Sequence, residues 1–316
     1  MIQPTQKSAI GKAHGKLILV GEHAVVYGMP AIALPFPLIE VTSTVEEIPE
    51  TIRFACEYYD GPLSMVPKKM LGIAACINET LKFLKKPANG LLIRLTSTIP
   101  LGRGLGSSAA VAVAIVKSLF AFYGQNAKQS ELMSLVHIAE THAHGNPSGV
   151  DMFATASEVP IWFQKEKKIA TIKMGAPLHL VVADSGRIGD THAAVNSVRE
   201  NYQSNPIKTE ESLNQLQEIT YEARTALSLG DTKLLGSLLN LAQDVLMVLG
   251  VSDAGINGLV DAARKAGALG SKLTGGGRGG CVIALAKNPA HAKSLENHFI
   301  KAGASKTWNF TLGNIN

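Results

Sequence analysis

Residues 100–110 read Pro100-Leu101-Gly102-Arg103-Gly104-Leu105-Gly106-Ser107-Ser108-Ala109-Ala110, and a small apolar run continues to Val116. The alternate glycines favour a tight loop, because glycine adopts positive φ angles and lets backbone N–H groups approach an anion. The run after the serines predicts a buried helix, whose first turn offers unpaired N–H groups and the positive end of the helix dipole. The stretch therefore predicts a phosphate-binding junction, although it lacks the lysine of a Walker A loop. A glycine-rich turn before a helix capped by serine is the simpler alternative.

The sequence around this loop predicts an α+β chain, with strands concentrated in the first half and helices in the second. Alternating apolar and polar residues at Leu91–Thr98 predict a strand that leads into the loop. Further strands are predicted at 16–20, 37–45, 52–58, 178–183, 269–273, 281–286 and 306–310, and helices at 70–84, 109–116, 130–144, 207–229, 232–249, 253–266 and 290–302. A domain junction is expected near residue 180.

Composition narrows the class of protein. The chain has 316 residues, of which 46% are apolar and 17% charged, so two well-packed domains are expected. No apolar stretch is long enough to span a membrane, and residues 1–12 do not resemble a signal peptide. Three widely spaced cysteines fit no zinc spacing and indicate reduced thiols in a cytoplasmic protein. The net charge of +5 suits an anionic small-molecule substrate and gives no argument for a nucleic-acid partner.

Two carboxylates bracket a predicted turn. Residues 140–151 read ETHAHGNPSGVD, which places Glu140 near the end of a helix and Asp151 after an Asn-Pro-Ser-Gly turn. Converging carboxylates beside a phosphate loop suit Mg²⁺-dependent phosphoryl transfer, in which one holds the metal and the other accepts a hydroxyl proton. The alternative is that Glu140 is a solvated helix residue and that Asp151 is an N-cap or turn residue. His142 and His144 do not favour a metal site, since residues two apart on a helix point in different directions.

Two further segments contain polar residues in unusual settings. Residues 272–281 read KLTGGGRGGC and predict a glycine-rich turn between strands, either a structural hairpin or a loop that faces a ligand. Residues 14–28 read HGKLILVGEHAVVYG, which puts Lys16 on an apolar strand and Glu22 and His23 in the loop that follows. A lysine in such a strand is seldom buried without a partner, so a carboxylate or charged ligand is expected near it; a strand-edge lysine that reaches solvent is the alternative.

Together these segments resemble the three motifs of the GHMP small-molecule kinases, in the family's order and spread over most of the chain. The resemblance implies an α+β fold with a domain over residues 1–180 like the second domain of ribosomal protein S5 and a ferredoxin-like domain over 181–316. It implies an enzyme that transfers the γ-phosphoryl group of ATP to an alcohol. The 14–28 segment and the Asn-Pro-Ser-Gly-Val-Asp turn are similar to those of members that phosphorylate the C5 hydroxyl of mevalonate.

The resemblance also implies roles for individual residues. ATP would bind along Pro100–Ala110, and Ser108 and Glu140 would hold Mg²⁺. Asp151 would take the hydroxyl proton, with Lys16 beside it. Glu22, His23 and Thr191, the last within Gly189-Asp190-Thr191-His192, would line the mevalonate pocket together with Lys16 and Asp151.

Two arginines depart from the family pattern. Arg103 occupies a variable loop position and would add a cation beside the phosphates, and Arg278 replaces a common glycine, where it would contact phosphate or face water. The alternatives within the family are phosphomevalonate, homoserine and sugar kinases. A non-catalytic ligand sensor is the alternative of a different class, disfavoured because the catalytic constellation is complete. The oligomeric state is open, with a homodimer as the commonest assembly.

Overall fold

The structure, a computed structural model, describes residues 7–145 and 147–313 and confirms an α+β chain. The strands are β1 (Ser8–Val20), β2 (Ala31–Thr51), β3 (Arg53–Cys56), β4 (Tyr59–Pro62), β5 (Asn89–Ser97), β6 (Ile161–Phe163), β7 (Ala170–Thr171), β8 (Leu178–Asp184), β9 (Gly270–Thr274), β10 (Cys281–Ala286) and β11 (Lys306–Leu312). The α-helices are α1 (Leu71–Phe83), α2 (Ser107–Phe122), α3 (Gln129–His144), α4 (Val150–Ala156), α5 (Thr191–Ser204), α6 (Pro206–Leu229), α7 (Thr232–Val248), α8 (Ala254–Lys265) and α9 (Pro289–Lys301).

Most predicted elements are confirmed, but β1 and β2 are much longer than the strands predicted at 16–20 and 37–45, and the short strands β6 and β7 were not predicted. The predicted strand 52–58 is a hairpin, because the chain turns at residues 57 and 58 between β3 and β4. Helices α4 and α5 were not predicted. The seven residues of α4 are too few to show a period, and α5 has little apolar surface apart from the buried Ala194 and Val198.

Contacts group the chain into two compact units. The first contains the residues up to Lys16, Pro35–Pro100 and Gly106–Ser157, and the second contains Leu17–Leu34, Leu101–Leu105 and the chain from Glu158 onward. The long strands β1 and β2 therefore contribute residues to both units. The junction expected near residue 180 divides the chain by position along the sequence, whereas these units divide it by contacts. The junction therefore stays a prediction.

The first unit combines a sheet with helices packed around α2. Strand β3 lies between β4 and β5, and β5 pairs antiparallel with β2 from Val41 to Glu47. Helix α2 packs against α1, α3 and α4, and most of its side chains are buried. This burial explains why its sequence is apolar around the whole helix rather than along one stripe.

The second unit contains a four-stranded antiparallel sheet with the strand order β11-β8-β10-β9. Helix α9 connects β10 to β11, and α8 and α9 pack on the sheet. The order along the sheet is that of a ferredoxin-like βαββαβ unit, as predicted. Strands β9 and β10 form a hairpin closed by Thr274 and Cys281, so residues 275–280 form the predicted glycine-rich turn.

The three cysteines are free thiols, with Cys76 and Cys281 buried and Cys56 partly exposed. Burial raises the pKa of the Cys76 thiol to about 12, so this side chain behaves as a small apolar group. Among the described residues, none of the helices is both long enough and apolar enough to cross a membrane.

Candidate active site

The first unit brings Ser108 and Glu140 together. Ser108 lies in the first turn of α2, and its hydroxyl donates a hydrogen bond to the carboxylate of Glu140 near the end of α3. Glu140 is only 2% exposed, and its Oε1 atom has no hydrogen-bond partner among the described residues. Burial, together with the negative charge of Asp151, raises the pKa of Glu140, and the Ser108 hydrogen bond opposes the rise. A buried acceptor of this kind is well placed to receive a cation.

Lys16 and Asp151 form an ion pair in the same unit. The Nζ atom of Lys16 on β1 lies 2.8 Å from Oδ1 of Asp151 in the first turn of α4. The lysine side chain is 3% exposed and the aspartate side chain 35% exposed. The predicted carboxylate partner of Lys16 is therefore confirmed as Asp151. The pair presents an accessible carboxylate whose orientation is fixed by a buried ammonium.

Gly106, the last glycine of the 100–110 loop, packs directly on Lys16. Its φ angle is +80°, and a Cβ atom built there would lie 2.8 Å from Cγ of Lys16 and 2.9 Å from Cγ2 of Thr155. Only glycine allows both this backbone conformation and this approach. The end of the loop therefore sets the position of the lysine that contacts Asp151.

Replacing Gly106 by alanine should displace Lys16. With the catalytic role that the resemblance implies for Lys16, kcat should fall by roughly 10- to 100-fold, the cost of misplacing such a group by about an ångström. Gly124→Ala is the matched control, because Gly124 has a similar φ of +69° but a Cβ there meets nothing within 4 Å. Both variants carry the backbone strain of an alanine at positive φ, about 1 kcal/mol. Steady-state kinetics and thermal melts of both variants separate the change in kcat from the change in stability. Equal kcat values would contradict a role for the Gly106 contact.

The second unit contains a buried ion pair between Glu22 and Lys272. Lys272 is completely buried on β9, and its ammonium donates hydrogen bonds to Oε1 of Glu22 and, at 2.6 Å, to the Leu273 carbonyl. Glu22 is 3% exposed. Burial lowers the pKa of Lys272, and the charge of Glu22 opposes this decrease. Each charge compensates the other in a place where either one alone would be costly.

His23 has a strained backbone beside this pair. Its φ and ψ angles are +62° and −50°, and the Ala24 N–H donates to the Glu22 carbonyl at 2.7 Å, which makes a γ-turn. The side chain is buried, and its Nε2 atom has no hydrogen-bond partner among the described residues. Burial and then the charge of Lys272 lower the pKa of His23 to about 4. A neutral imidazole with an unused nitrogen, held by a strained turn, is typical of a ligand site.

The pKa of His23 predicts a pH dependence of stability. Because its folded pKa of about 4 lies below its unfolded value of 6.5, unfolding takes up a proton, and stability falls as the pH decreases below 6.5. His23→Asn removes this titration with a residue that tolerates positive φ. Wild type should lose about 3 kcal/mol of unfolding free energy relative to this variant between pH 7 and pH 4, measured by urea unfolding. Parallel pH curves would contradict the assignment.

Thr191 is the first residue of α5, which begins after the N-cap Asp190. The Asp190 side chain accepts a hydrogen bond from the Ala193 N–H at 2.8 Å. The side chain of Thr191 lies outside the described part of the structure, so its predicted contact with substrate stays a prediction.

The glycine-rich turn at 275–280 packs against loop residues 101–105 within the second unit. A Cβ atom on Gly275 would lie 2.8 Å from the Gly104 carbonyl oxygen, and the Gly189 N–H donates to the Gly102 carbonyl at 2.8 Å. The turn is therefore a hairpin connection that also supports the loop. Its role toward a ligand stays a prediction.

The two arginines that depart from the family pattern both contact protein groups. Arg103 lies 2.8 Å from Asp184 and donates to the Gly186 carbonyl at 3.0 Å, so its charge is balanced within its own unit. Arg278 donates to the Ser197 hydroxyl at 2.6 Å and to the Gly250 carbonyl at 3.2 Å. Its φ angle of +50° explains why glycine suits this position. Both arginines stabilise loop geometry.

Sequence reasoning missed the role of Lys272, although the motif that contains it was recognised. A signal was available, because a lysine within an otherwise uncharged strand needs a partner, as Lys16 does. That partner is 250 residues away in the chain. No local pattern could identify it.

Comparison with known proteins gives the chain a family. Residues 69–158 match the GHMP kinases N terminal domain, and residues 223–305 match the GHMP kinases C terminal domain. The mevalonate kinase of Thermococcus sibiricus is 33% identical over 298 residues, which cover 88% of this chain and 89% of the relative. The mevalonate kinase of Methanothermobacter thermautotrophicus is 34% identical over 280 residues, covering 86% of this chain and 88% of the relative.

Solved structures agree with these sequence matches. The crystal structure of L. major mevalonate kinase in complex with R-mevalonate superposes with a TM-score of 0.85 at 26% identity, over 99% of this chain and 98% of that one. The crystal structure of mevalonate kinase from Staphylococcus aureus gives a TM-score of 0.72 at 29% identity, over 98% and 100% of the two chains. The predicted two-domain α+β architecture is confirmed by these likenesses. The chain belongs to the GHMP kinase family.

Proposed function

We propose that this GHMP kinase transfers the γ-phosphoryl group of ATP to the C5 hydroxyl of (R)-mevalonate and so forms 5-phosphomevalonate. GHMP kinases use ATP as the phosphoryl donor. The observation that carries the proposal is the Lys16–Asp151 ion pair, in which a buried ammonium orients an accessible carboxylate. The likeness to mevalonate kinases over most of the chain supports the choice of substrate.

Asp151 and Lys16 supply the proton transfer and the charge stabilisation in this proposal. The Asp151 carboxylate accepts the proton of the attacking hydroxyl as the hydroxyl oxygen bonds to the γ-phosphorus, while the bond from that phosphorus to the β–γ bridging oxygen breaks and ADP leaves. The Lys16 ammonium fixes the carboxylate and stabilises negative charge that develops on the transferred group. Because phosphoryl transfer depends mainly on positioning and electrostatics, a rigid pair of this kind suits the reaction.

The residues of the first unit fit a magnesium ion. Glu140 offers a buried Oε1 atom without a hydrogen-bond partner among the described residues, and Ser108 offers a hydroxyl beside it. The described residues contain no group of three or more His, Cys, Asp or Glu side chains that could hold a metal. Mg²⁺ needs no such group, since it binds through one or two protein ligands together with phosphate oxygens and water. When bound, the ion would neutralise charge on the phosphates of ATP.

Different residues bind the nucleotide and the substrate. The phosphates of ATP bind along Pro100–Ala110, where backbone N–H groups at the start of α2 are unpaired within the helix. Glu22, His23 and Thr191 bind mevalonate. The neutral imidazole of His23 offers its unpartnered Nε2 atom, and Lys272, the buried cation beside it, is committed to Glu22. This arrangement favours a substrate with hydroxyl groups over a phosphorylated one.

A coupled assay of ADP release tests the proposal. Mevalonate, phosphomevalonate, homoserine and galactose are compared at equal concentrations, and kcat/KM should be highest for mevalonate by at least about 100-fold, the discrimination expected of polar contacts. Chelation of Mg²⁺ should abolish turnover, and added Mg²⁺ should restore it. A higher kcat/KM with one of the other three compounds would show that mevalonate is not the preferred substrate.

The cytoplasmic location and the homodimeric assembly stay predictions. Light scattering of the purified protein would test the assembly.

A further inference from the structure

Lys272 stands out in the second unit because it is charged and has no exposed surface. Its neighbours along β9 are also buried, and the strand pairs with β10 so that Lys272 lies opposite Ile283. Lysine is almost never fully buried without a specific partner. The partner is Glu22, a residue assigned to the substrate, whereas nothing so far assigns a role to Lys272.

The backbone around Glu22 is tied to the strand that carries Lys272. Thr274 lies two residues after Lys272 and therefore on the same face of β9. Its hydroxyl accepts a hydrogen bond from the Ile18 N–H at 2.9 Å and donates one to the Ile18 carbonyl at 3.0 Å. Ile18, four residues before Glu22, is thus held beside β9 by two hydrogen bonds between its backbone and the Thr274 side chain, independently of the ion pair.

We infer that Lys272 is a positioning residue for substrate binding, which holds the Glu22 carboxylate in one orientation so that it accepts a hydrogen bond from a substrate hydroxyl. This inference rests on the proposed function and adds to it a residue that acts only through Glu22. Without the ammonium, a carboxylate as buried as Glu22 would take up a proton or rotate, and it would no longer be a fixed acceptor. The same ammonium disfavours protonation of His23, whose pKa it helps to lower.

The test is a separation of KM from kcat in Lys272→Met, whose side chain has a similar length and no charge. The KM for mevalonate should rise by about 10- to 100-fold, the cost of losing a hydrogen bond to a charged group. The KM for ATP and kcat should stay close to wild type. Lys293→Met is the matched control, since the Lys293 side chain is 78% exposed and lies 3.6 Å from Glu296 on α9. It should change none of these constants.

A double-mutant cycle keeps the inference testable if Lys272→Met folds poorly because it leaves Glu22 buried without its countercharge. Glu22→Gln with Lys272→Met removes both charges together and should fold. If Lys272 acts only through Glu22, the double variant has the same KM for mevalonate as Glu22→Gln alone, and that KM lies well above the wild-type value. A KM in the double variant far above that of Glu22→Gln, or a wild-type KM in either Glu22→Gln or Lys272→Met, would overturn the inference.

Failure of this inference is distinguishable from failure of the proposed function. A wild-type enzyme that does not phosphorylate mevalonate would overturn both. An active wild type combined with an unchanged KM in Lys272→Met would overturn only the role of Lys272.

Discussion

Replacing Asp151 by asparagine is expected to lower kcat by about 10²- to 10⁴-fold, the range for loss of a general base, while the affinity for ATP is retained. Asparagine has nearly the same size and can still accept a hydrogen bond from Lys16. The side chain at position 151 should therefore keep its orientation and its contact with Lys16, which is 2.8 Å long in the wild type. What is lost is the ability to accept the hydroxyl proton. Steady-state kinetics with mevalonate and direct binding of a non-hydrolysable ATP analogue measure the two quantities separately.

Asp60→Asn is the matched control for this experiment. Asp60 also forms an ion pair in the first unit, with Arg53 at 2.8 Å, but its side chain is 62% exposed. Exposed pairs contribute little to stability, so this variant should keep wild-type kinetics and folding. A fall in kcat of less than about 10-fold in Asp151→Asn would be too small for a general base and would make Asp151 a binding residue.

The regular elements were predictable because their signals are local. Helix α2 follows the glycine loop, as the apolar run after Ser107 predicted, and the alternation before the loop gave β5. The alternation at Leu91 and Ile93 was visible because both side chains are buried on one face of the strand. Such patterns report burial directly. They are therefore readable without knowing the partner element.

The site was predictable only in part, because its contacts join distant residues. The need of Lys16 for a carboxylate followed from its apolar strand, but only the fold identifies Asp151, 135 positions later, as the partner. The pairing of Lys272 with Glu22 had no local signal, since the residues lie 250 positions apart. The γ-turn at His23 was also invisible, because histidine rarely adopts positive φ and nothing in the sequence indicates the strain.

The division of the chain into two compact units was the least predictable property of the fold. Residues 17–34 follow directly on Lys16 along β1, yet they pack with the second unit, as does the 101–105 segment of the glycine loop. Composition changes little across these points, so no linker-like sequence marks them. A strand that contributes to two units has no boundary in its hydrophobic pattern, because it is buried on both sides of the division.

Replacing Lys16 by methionine is the second variant with a large expected effect, a fall in kcat of about 100-fold with little change in the affinity for ATP. Methionine fills most of the buried space of the lysine, which is 3% exposed, so packing beneath Gly106 should be kept. Asp151 loses its countercharge but is 35% exposed and can be solvated, so the variant should fold. The lost ammonium no longer fixes the carboxylate or stabilises the transferred charge. Steady-state kinetics with each substrate varied in turn measure this loss.

Lys12→Met is the matched control for the Lys16 variant, since Lys12 lies on the same strand and forms an exposed ion pair with Glu40 at 2.9 Å. It should leave kcat unchanged. Lys16 and Asp151 are proposed to act together in one step. The double variant Lys16→Met with Asp151→Asn should therefore have a kcat close to that of Asp151→Asn alone. Multiplication of the two losses would mean that the residues act independently. A rise in the KM for ATP at unchanged kcat would instead make Lys16 a nucleotide-binding residue, and the ion pair would then serve binding rather than catalysis.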